Sequence, residues 1–506
     1  MSQTFRIPQK IKVFLRISIL PLILLCIYMG GSAIAIALRD RAASVSFHSL
    51  NLPVLPAPNR ATRLMVFAPH PDDETLGCAG LIQQTIESGG KVEVVILTNG
   101  DAFRTAVECF AHKLNVQPAD YIRFAAMRRE ESRHALNLIG VPSKDVIFLG
   151  YPDQGTMPIW NSYWNRNHPY LSPYTDSSHS PYEDSFHPSA SYCGASILHD
   201  VESVMEDFQP TLITVTHPAE DHPDHRAASD FVTLAYNILR IQPRDNIWIS
   251  HAKLFHYIIH RGDWPLPEGV HQDIPLSPPS CMDNLDTRWF TLHLTPKQTK
   301  TKLASIDAYK SQVTMMGAFL HSFARSSELY GELPTANLQP PSKDSQSCLA
   351  ALDGDAAHKP LILNPVKDDL LRDFNSGANI RSLYAWRESN SLCLLLECSG
   401  TLSNRYRYRF YIRALTNQGQ SSSQDVDLTV HASSSMNQDN IETVLRGKKL
   451  LVTIPWTAIQ ADTRYAPIQF ISIDAQTLLS GIIIDNTGER LMICSPTLNL
   501  HPLRRS

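Results

Sequence analysis

Apolar runs of strand length alternate with amphipathic stretches through the first half of the chain. Leu64–Ala68, Val92–Thr98, Val146–Leu149 and Leu212–Thr216 are the runs. Helical spacing of apolar residues covers Leu76–Glu87, Tyr121–Ile139, Ile197–Phe208 and Arg226–Leu239, and a last long helix is expected over Pro296–Ala318. Such alternation predicts βαβ units and an α/β domain built on a mainly parallel sheet.

The pattern breaks twice. Between Gly155 and Gly194, Trp160, Tyr163, Trp164, Tyr170, Tyr174, Tyr182, Phe186 and Tyr192 stand among prolines, serines and asparagines. A long loop of this kind serves either as a lid or wall for the apolar faces of sugar rings, or packs on itself to cover the domain. The second break, 337–359, is rich in serine and contains Pro340-Pro341, and reads as a linker. Beyond it come short strand patterns: Ile380–Tyr384, Leu392–Glu397, Tyr406–Leu415, Val426–Val430, Leu450–Ile454, Ile468–Ile473, Ile482–Ile484 and Leu491–Cys494. Their number and turn-rich joints predict an antiparallel β-sandwich. Here Tyr406, Tyr408, Phe410 and Ile412 alternate with Arg405, Arg407, Arg409, Tyr411 and Arg413, which puts the aromatics on one face and four arginines on the other. That row is either a site for an acidic polysaccharide or lipid headgroup, or a solvated and paired face.

The N-terminus changes the setting of everything that follows. Arg6, Lys10, Lys12 and Arg16 precede 22 uncharged residues, Ile17–Leu38. As a helix these would span about 33 Å, close to a bilayer core. The basic flank keeps the N-terminus cytoplasmic and sends the rest of the chain across the membrane. Small residues over Gly30–Ala37 also allow a cleaved signal peptide. The expected organisation is an anchor or signal peptide (1–38), a proline-containing tether (39–60), an α/β domain (61–336) with its insertion at about 155–195, a linker (337–359) and a sandwich (360–506). The folded part is expected to be extracytoplasmic: membrane-anchored, or secreted if the leader is cleaved. With 45 basic and 49 acidic residues the net charge is −4, which argues against nucleic acid as a partner. There are nine cysteines and no CxxC pair, so a cysteine-rich zinc site is not indicated, while an oxidising compartment permits disulfides.

Candidate chemistry sits at the ends of two of the apolar runs. Ala68-Pro69-His70-Pro71-Asp72-Asp73-Glu74 follows the first, and Asp221-His222-Pro223-Asp224-His225 follows Leu212–Thr216. His70 and His225 offer nitrogens and Asp73 an oxygen, a set that leaves coordination positions open for water and substrate. Zn2+ suits it, and Fe2+ uses the same triad. Asp72, beside a ligand, is free to take a proton as general base. His222, as an imidazolium, is placed to stabilise an oxyanion, with Asp224 orienting its ring and raising its pKa. Glu74 is expected to bond backbone or a ligand residue.

At these residues the chain resembles the PIG-L/LmbE-like family of metal-dependent N-acetylglucosaminyl deacetylases, marked by an A/P-H-P-D-D-E loop and a downstream H-P-D-H loop. Gly77, Gly80, Thr98-Asn99-Gly100-Asp101, Arg128, Glu131, Ala135, Gly140, Tyr151-Pro152-Asp153, Lys302 and Ser311-Gln312 agree with it as well. The resemblance covers roughly Ala61–Tyr330. It implies a Rossmann-like domain with helices on both faces of the sheet, zinc on His70, Asp73 and His225, Asp72 as base and His222 as oxyanion partner. It also implies that Arg128 contacts sugar hydroxyls; the alternative is an ion pair with Glu131 or another acid. The implied reaction is removal of the acetyl group from an N-acetylhexosamine in a glycan, glycolipid or other glycoconjugate. The alternatives are hydrolysis of another amide at the same site, or a catalytically silent glycan-binding protein. The sandwich loosely resembles CBM9/DOMON-like modules through Asp368, Asp369, Asp373 and Asn379-Ile380-Arg381-Ser382, which would make it a carbohydrate-binding appendage.

Overall fold

The computed structural model describes residues 51–241, 247–262, 264–279, 282, 287–333, 336–338, 349–353, 361–363, 372, 374–416, 426–431, 441–459 and 468–498. The apolar stretch Ile17–Leu38, most of the expected linker, and Asp368, Asp369 and Asp373 lie outside the described residues. Among the described residues no helix is long and apolar enough to cross a membrane.

The first region is built on seven strands: β1 (Arg63–Ala68), β2 (Lys91–Thr98), β3 (Val146–Tyr151), β4 (Leu212–Thr216), β5 (Lys253–Tyr257), β6 (Arg288–His293) and β7 (Ser327–Glu332). They lie in the order β3-β2-β1-β4-β5-β7-β6. The first five run parallel, and β7 is antiparallel to both β5 and β6. Its helices are α1 (Asp73–Glu87), α2 (Arg104–Ala111), α3 (Pro118–Leu138), α4 (Thr156–Ser162), α5 (Gly194–Phe208), α6 (Pro223–Ile241), α7 (Ile247–His251), α8 (Pro296–Ile306) and α9 (Lys310–His321). Leu64, Val66 and Ala68 of β1 pack in one core with Leu76, Cys78 and Ala79 of α1. Met65 and Phe67 face the other, with residues of α5 and α6. A strand covered on both faces is apolar at successive positions, which is why β1 reads as a continuous run. The chain leaves β1 towards β2 on one side, while β4 joins it on the other. This reversal of strand order opens a crevice at the carboxyl ends of β1 and β4.

The expected long helix over Pro296–Ala318 is two helices, α8 and α9, broken at Asp307–Tyr309. The break turns the Tyr309 side chain inward, where its hydroxyl donates to Glu74. Helix α2, strand β5 and the antiparallel edge β6–β7 have no counterpart in the periodicity reading.

The second region is the expected sandwich. Its strands are β8 (Ala336–Asn337), β9 (Ile362–Leu363), β10 (Ile380–Arg387), β11 (Ser391–Cys398), β12 (Arg407–Thr416), β13 (Val426–His431), β14 (Glu442–Arg446), β15 (Lys449–Pro455), β16 (Ile468–Leu479), β17 (Ile482–Asn486) and β18 (Arg490–Leu498). One sheet runs β14-β15-β11-β10-β9; the other runs β13-β12-β16-β18-β8, with β17 on β16. Apart from β8, which joins β18 in parallel, the pairings are antiparallel. Tyr408, Phe410 and Ile412 of β12 point into the core as their alternation requires, and Arg407 is exposed. Arg413 is buried instead, its guanidinium over the rings of Trp160 and Trp164 at 5.1 and 5.0 Å. These two tryptophans, with Tyr182 and Tyr192, are themselves buried, so half of the eight aromatics of the insertion serve as packing. Tyr170 and Tyr174 remain half-buried. Cys393 in β11 is disulfide-bonded.

Candidate metal centre

Two loops that leave neighbouring parallel strands meet in the crevice. His70 Nδ1, Asp73 Oδ2 and His225 Nε2 form a triangle whose three edges are each 3.2 Å. A tetrahedral ion with bonds of about 2.0–2.1 Å spaces its ligands by roughly 3.3–3.4 Å, so the triangle fits one face of a zinc-like coordination shell. The remaining imidazole nitrogens meet carboxylates. His70 Nε2 lies 3.3 Å from both Asp153 and Asp224, and His225 Nδ1 lies 3.7 Å from Glu220. Carboxylates behind metal-binding histidines fix ring orientation and raise ligand basicity.

The electrostatics favour positive charge. Burial by itself would lower both imidazoles. Asp153, Asp224 and Asp73 instead hold His70 well above its ordinary value, and Asp73 and Glu220 raise His225 to about 9. Burial would likewise raise Asp73, but His225 and His70 hold it well below the usual carboxylate range. Asp73 also opens α1 and accepts the His70 backbone N–H, where a helix N-terminus stabilises an anion.

Asp72 stands beside the triangle in a strained backbone, with φ of 132°. A non-glycine residue in that region costs about 1–3 kcal/mol and persists only where its surroundings hold it. Glu74 accepts the Asp72 N–H, and Arg128 donates to Pro71 O at 2.6 Å, to Asp72 Oδ2 at 3.0 Å and to Gly100 O at 3.1 Å. Arg128 is therefore a clamp on the Asp72 loop, and its acid partner is Asp72 rather than Glu131, which instead accepts from Ser311. Burial lifts Asp72 to about 8, with Arg128 pulling the other way. Glu74 is buried beneath the loop, accepting from Tyr309, Thr75 and Ser132 as well.

His222 lies across from this group, its ring centroid 4.7 Å from that of His70 and 5.0 Å from that of His225. Its Nδ1 accepts the Asp224 backbone N–H at 3.2 Å, which leaves Nε2 as the nitrogen that carries the proton. Burial, with His70 and His225, lowers its pKa to about 4, so the resting ring is neutral rather than the expected imidazolium. Nor does the Asp224 carboxylate orient His222. It accepts from Gln154 N, Thr156 N and Thr156 Oγ1, and it faces His70.

Two residues to which the sequence alone assigns no role, Asp153 and His260, are brought here by the fold. Both follow strands of the same sheet at its carboxyl edge, β3 and β5, and that placement is their available signal. Tyr170 and Tyr174 complete the surroundings. Burial, then the nearby site carboxylates Asp224 for Tyr170 and Asp153 for Tyr174, raises both phenols.

Residues 65–236 match the profile of the family described as PIG-L: GlcNAc-PI de-N-acetylase. Diacetylchitobiose deacetylase of Thermococcus kodakarensis is 23% identical over 192 residues, 37% of this chain and 54% of the relative. The chain thus spans about half the length of that curated relative. Among solved structures, N,N'-diacetylchitobiose deacetylase from Pyrococcus horikoshii is 18% identical, over 53% of this chain and 83% of its own, at a TM-score of 0.34. A deacetylase of teicoplanin biosynthesis is 18% identical, over 56% and 100%, at 0.35. A conserved protein from Thermus thermophilus is 18% identical, over 56% and 99%, at 0.34. Residues 65–236, which carry both loops of the triangle, are a PIG-L domain.

Proposed function

We propose that the protein is a zinc-dependent deacetylase that hydrolyses the N-acetyl group of an N-acetylglucosamine-type sugar in an extracytoplasmic glycan, glycolipid or glycoconjugate. The observation that carries this reading is the 3.2 Å triangle of His70, Asp73 and His225 with a clamped carboxylate, Asp72, at its side. Zn2+ held by those three residues would polarise the amide carbonyl and make water more acidic. Asp72 takes a proton from the attacking water. A cation held by the triangle would pull the Asp72 pKa down from its buried value, favouring the carboxylate that accepts the proton. The neutral His222 turns its Nε2–H to the developing oxyanion. Water oxygen bonds to the acyl carbon, the C–N bond breaks, and Asp72 hands its proton to the leaving amine, giving acetate and the free amino sugar. Arg128 keeps Asp72 aimed throughout, and a direct contact with a sugar hydroxyl is part of the proposal.

The extracytoplasmic setting is supported by the basic flank before Ile17–Leu38 and by the disulfide at Cys393. The named activity of the Thermococcus kodakarensis relative supports an acetylated amino sugar as substrate class. The test is acetate release by the zinc-loaded full chain from N-acetylglucosamine oligomers and from acetylated amino-sugar glycolipids. Bound zinc with no acetate from either class would sink the reading.

Gly100 provides a separate check on the clamp. It adopts φ +62°, and a Cβ there would fall on the Arg128 guanidinium. Gly100→Ala should destabilise the fold by more than about 1 kcal/mol, since alanine is strained at positive φ. By displacing Arg128 it should also slow turnover, up to about 10²-fold. Unfolding curves and kcat measured on the same sample separate the two effects; unchanged kcat would remove Arg128 from the clamp role.

A further inference from the structure

We infer that His260 is a fourth protein ligand of the divalent cation held by His70, Asp73 and His225. The proposal rests on the metal-site reading but not on the choice of substrate. Nitrogen of His260, oxygen of Asp73 and nitrogen of His225 all lie within 4.8 Å of one another. The His260 ring is half-buried, 4.9 Å from the His225 ring and 5.7 Å from that of His222. No hydrogen bond holds either of its ring nitrogens among the described residues. What fixes the ring is a stack on Phe319 of α9, with centroids 5.2 Å apart and planes 14° from parallel.

The backbone at His260 is tied to the second metal loop with unusual thoroughness. The Ile259 and His260 N–H groups both donate to the Glu220 carboxylate at 2.5 Å, and Asp221 N–H donates to His260 O at 2.8 Å. Glu220 is the same carboxylate that stands behind His225. One acid therefore sets the position of a ligand histidine and of His260 together. An imidazole anchored through its backbone, stacked through its face and left with free nitrogens beside two ligands is poised to bind a cation. Because only an aromatic stack holds the ring, His260 is also the ligand that an incoming oxygen can replace, so the resting centre would present three imidazoles and a carboxylate.

The test uses the full chain and no substrate. Zinc affinity is measured by chelator competition for wild type, His260→Ala and His260→Gln, and the visible spectrum is recorded for each after loading with Co2+. Both variants should bind zinc at least about tenfold more weakly, the lower end of what even an outer partner of a ligand costs. Their cobalt bands should change in position and intensity, because ligand number and geometry set those bands. Thermal unfolding of the metal-free proteins should be the same, with a smaller zinc-induced rise in Tm for the variants. Wild-type zinc affinity and an unchanged cobalt spectrum in both variants would overturn the proposal, even if turnover fell. A deacetylase assay that fails while the metal readouts behave as expected would count against the substrate reading alone.

Discussion

Asp72→Asn should retain zinc at full stoichiometry while deacetylation falls by roughly 10²–10⁴-fold, the range that general acid–base groups supply. Asparagine keeps the shape of aspartate, tolerates positive φ, and can still accept from Arg128, so the loop geometry should survive. Only the proton acceptor is lost. Asp72→Ala removes the Arg128 partner as well and strains the loop further, so its larger effect would mix two causes. Metal analysis with kcat on Asp72→Asn is the decisive pair of measurements. Loss of zinc would show that Asp72 serves the metal directly, and near-normal turnover would end its assignment as base.

The largest stability effect is expected at Lys302. Its ammonium is fully buried and donates to Leu76 O and Glu328 Oε1, both at 2.7 Å. Glu328 also accepts from Gly80 N, Leu81 N and Tyr330 Oη. The pair thus pins α1, the helix whose first residue is Asp73. Lys302→Met would leave the Glu328 carboxylate buried without its counter-charge, a loss of about 3–5 kcal/mol. Adding Glu328→Gln should recover part of that, because the uncompensated charge disappears. Denaturant unfolding of the two variants checks both statements. A cost of about 1 kcal/mol or less, as for an exposed pair, would mean that the ion pair does not anchor the helix.

Much of the centre is legible in the sequence because its residues are local in the chain and follow strands with a clear apolar signature. His70, Asp72 and Asp73 lie within one turn, and His222, Asp224 and His225 within another. What escaped is what depends on contacts across the fold. Nothing in Leu254-Phe255-His256-Tyr257-Ile258-Ile259-His260 marks the last histidine as different from the first, yet β5 buries His256 and delivers His260 to the site. For the same reason the sequence leaves the acid partner of Arg128 open and sets Asp224 behind His222 rather than His70. Spacing puts Asp224 next to His222 in the chain, while the fold turns its carboxylate to His70. The alternation along β12 holds, but Arg413 also meets Trp160 and Trp164 of the insertion, hundreds of residues earlier.

Arg226, the residue after His225, donates to Asn486 at 2.9 Å, and at Gly488 the turn from β17 to β18 lies against Pro218 so closely that a Cβ would collide with its carbonyl. The sandwich therefore touches the second metal loop on either side of its working residues. In mechanical terms a change in the 486–489 turn would be felt at Pro218 and Arg226, and through them in the loop that carries His222 and His225.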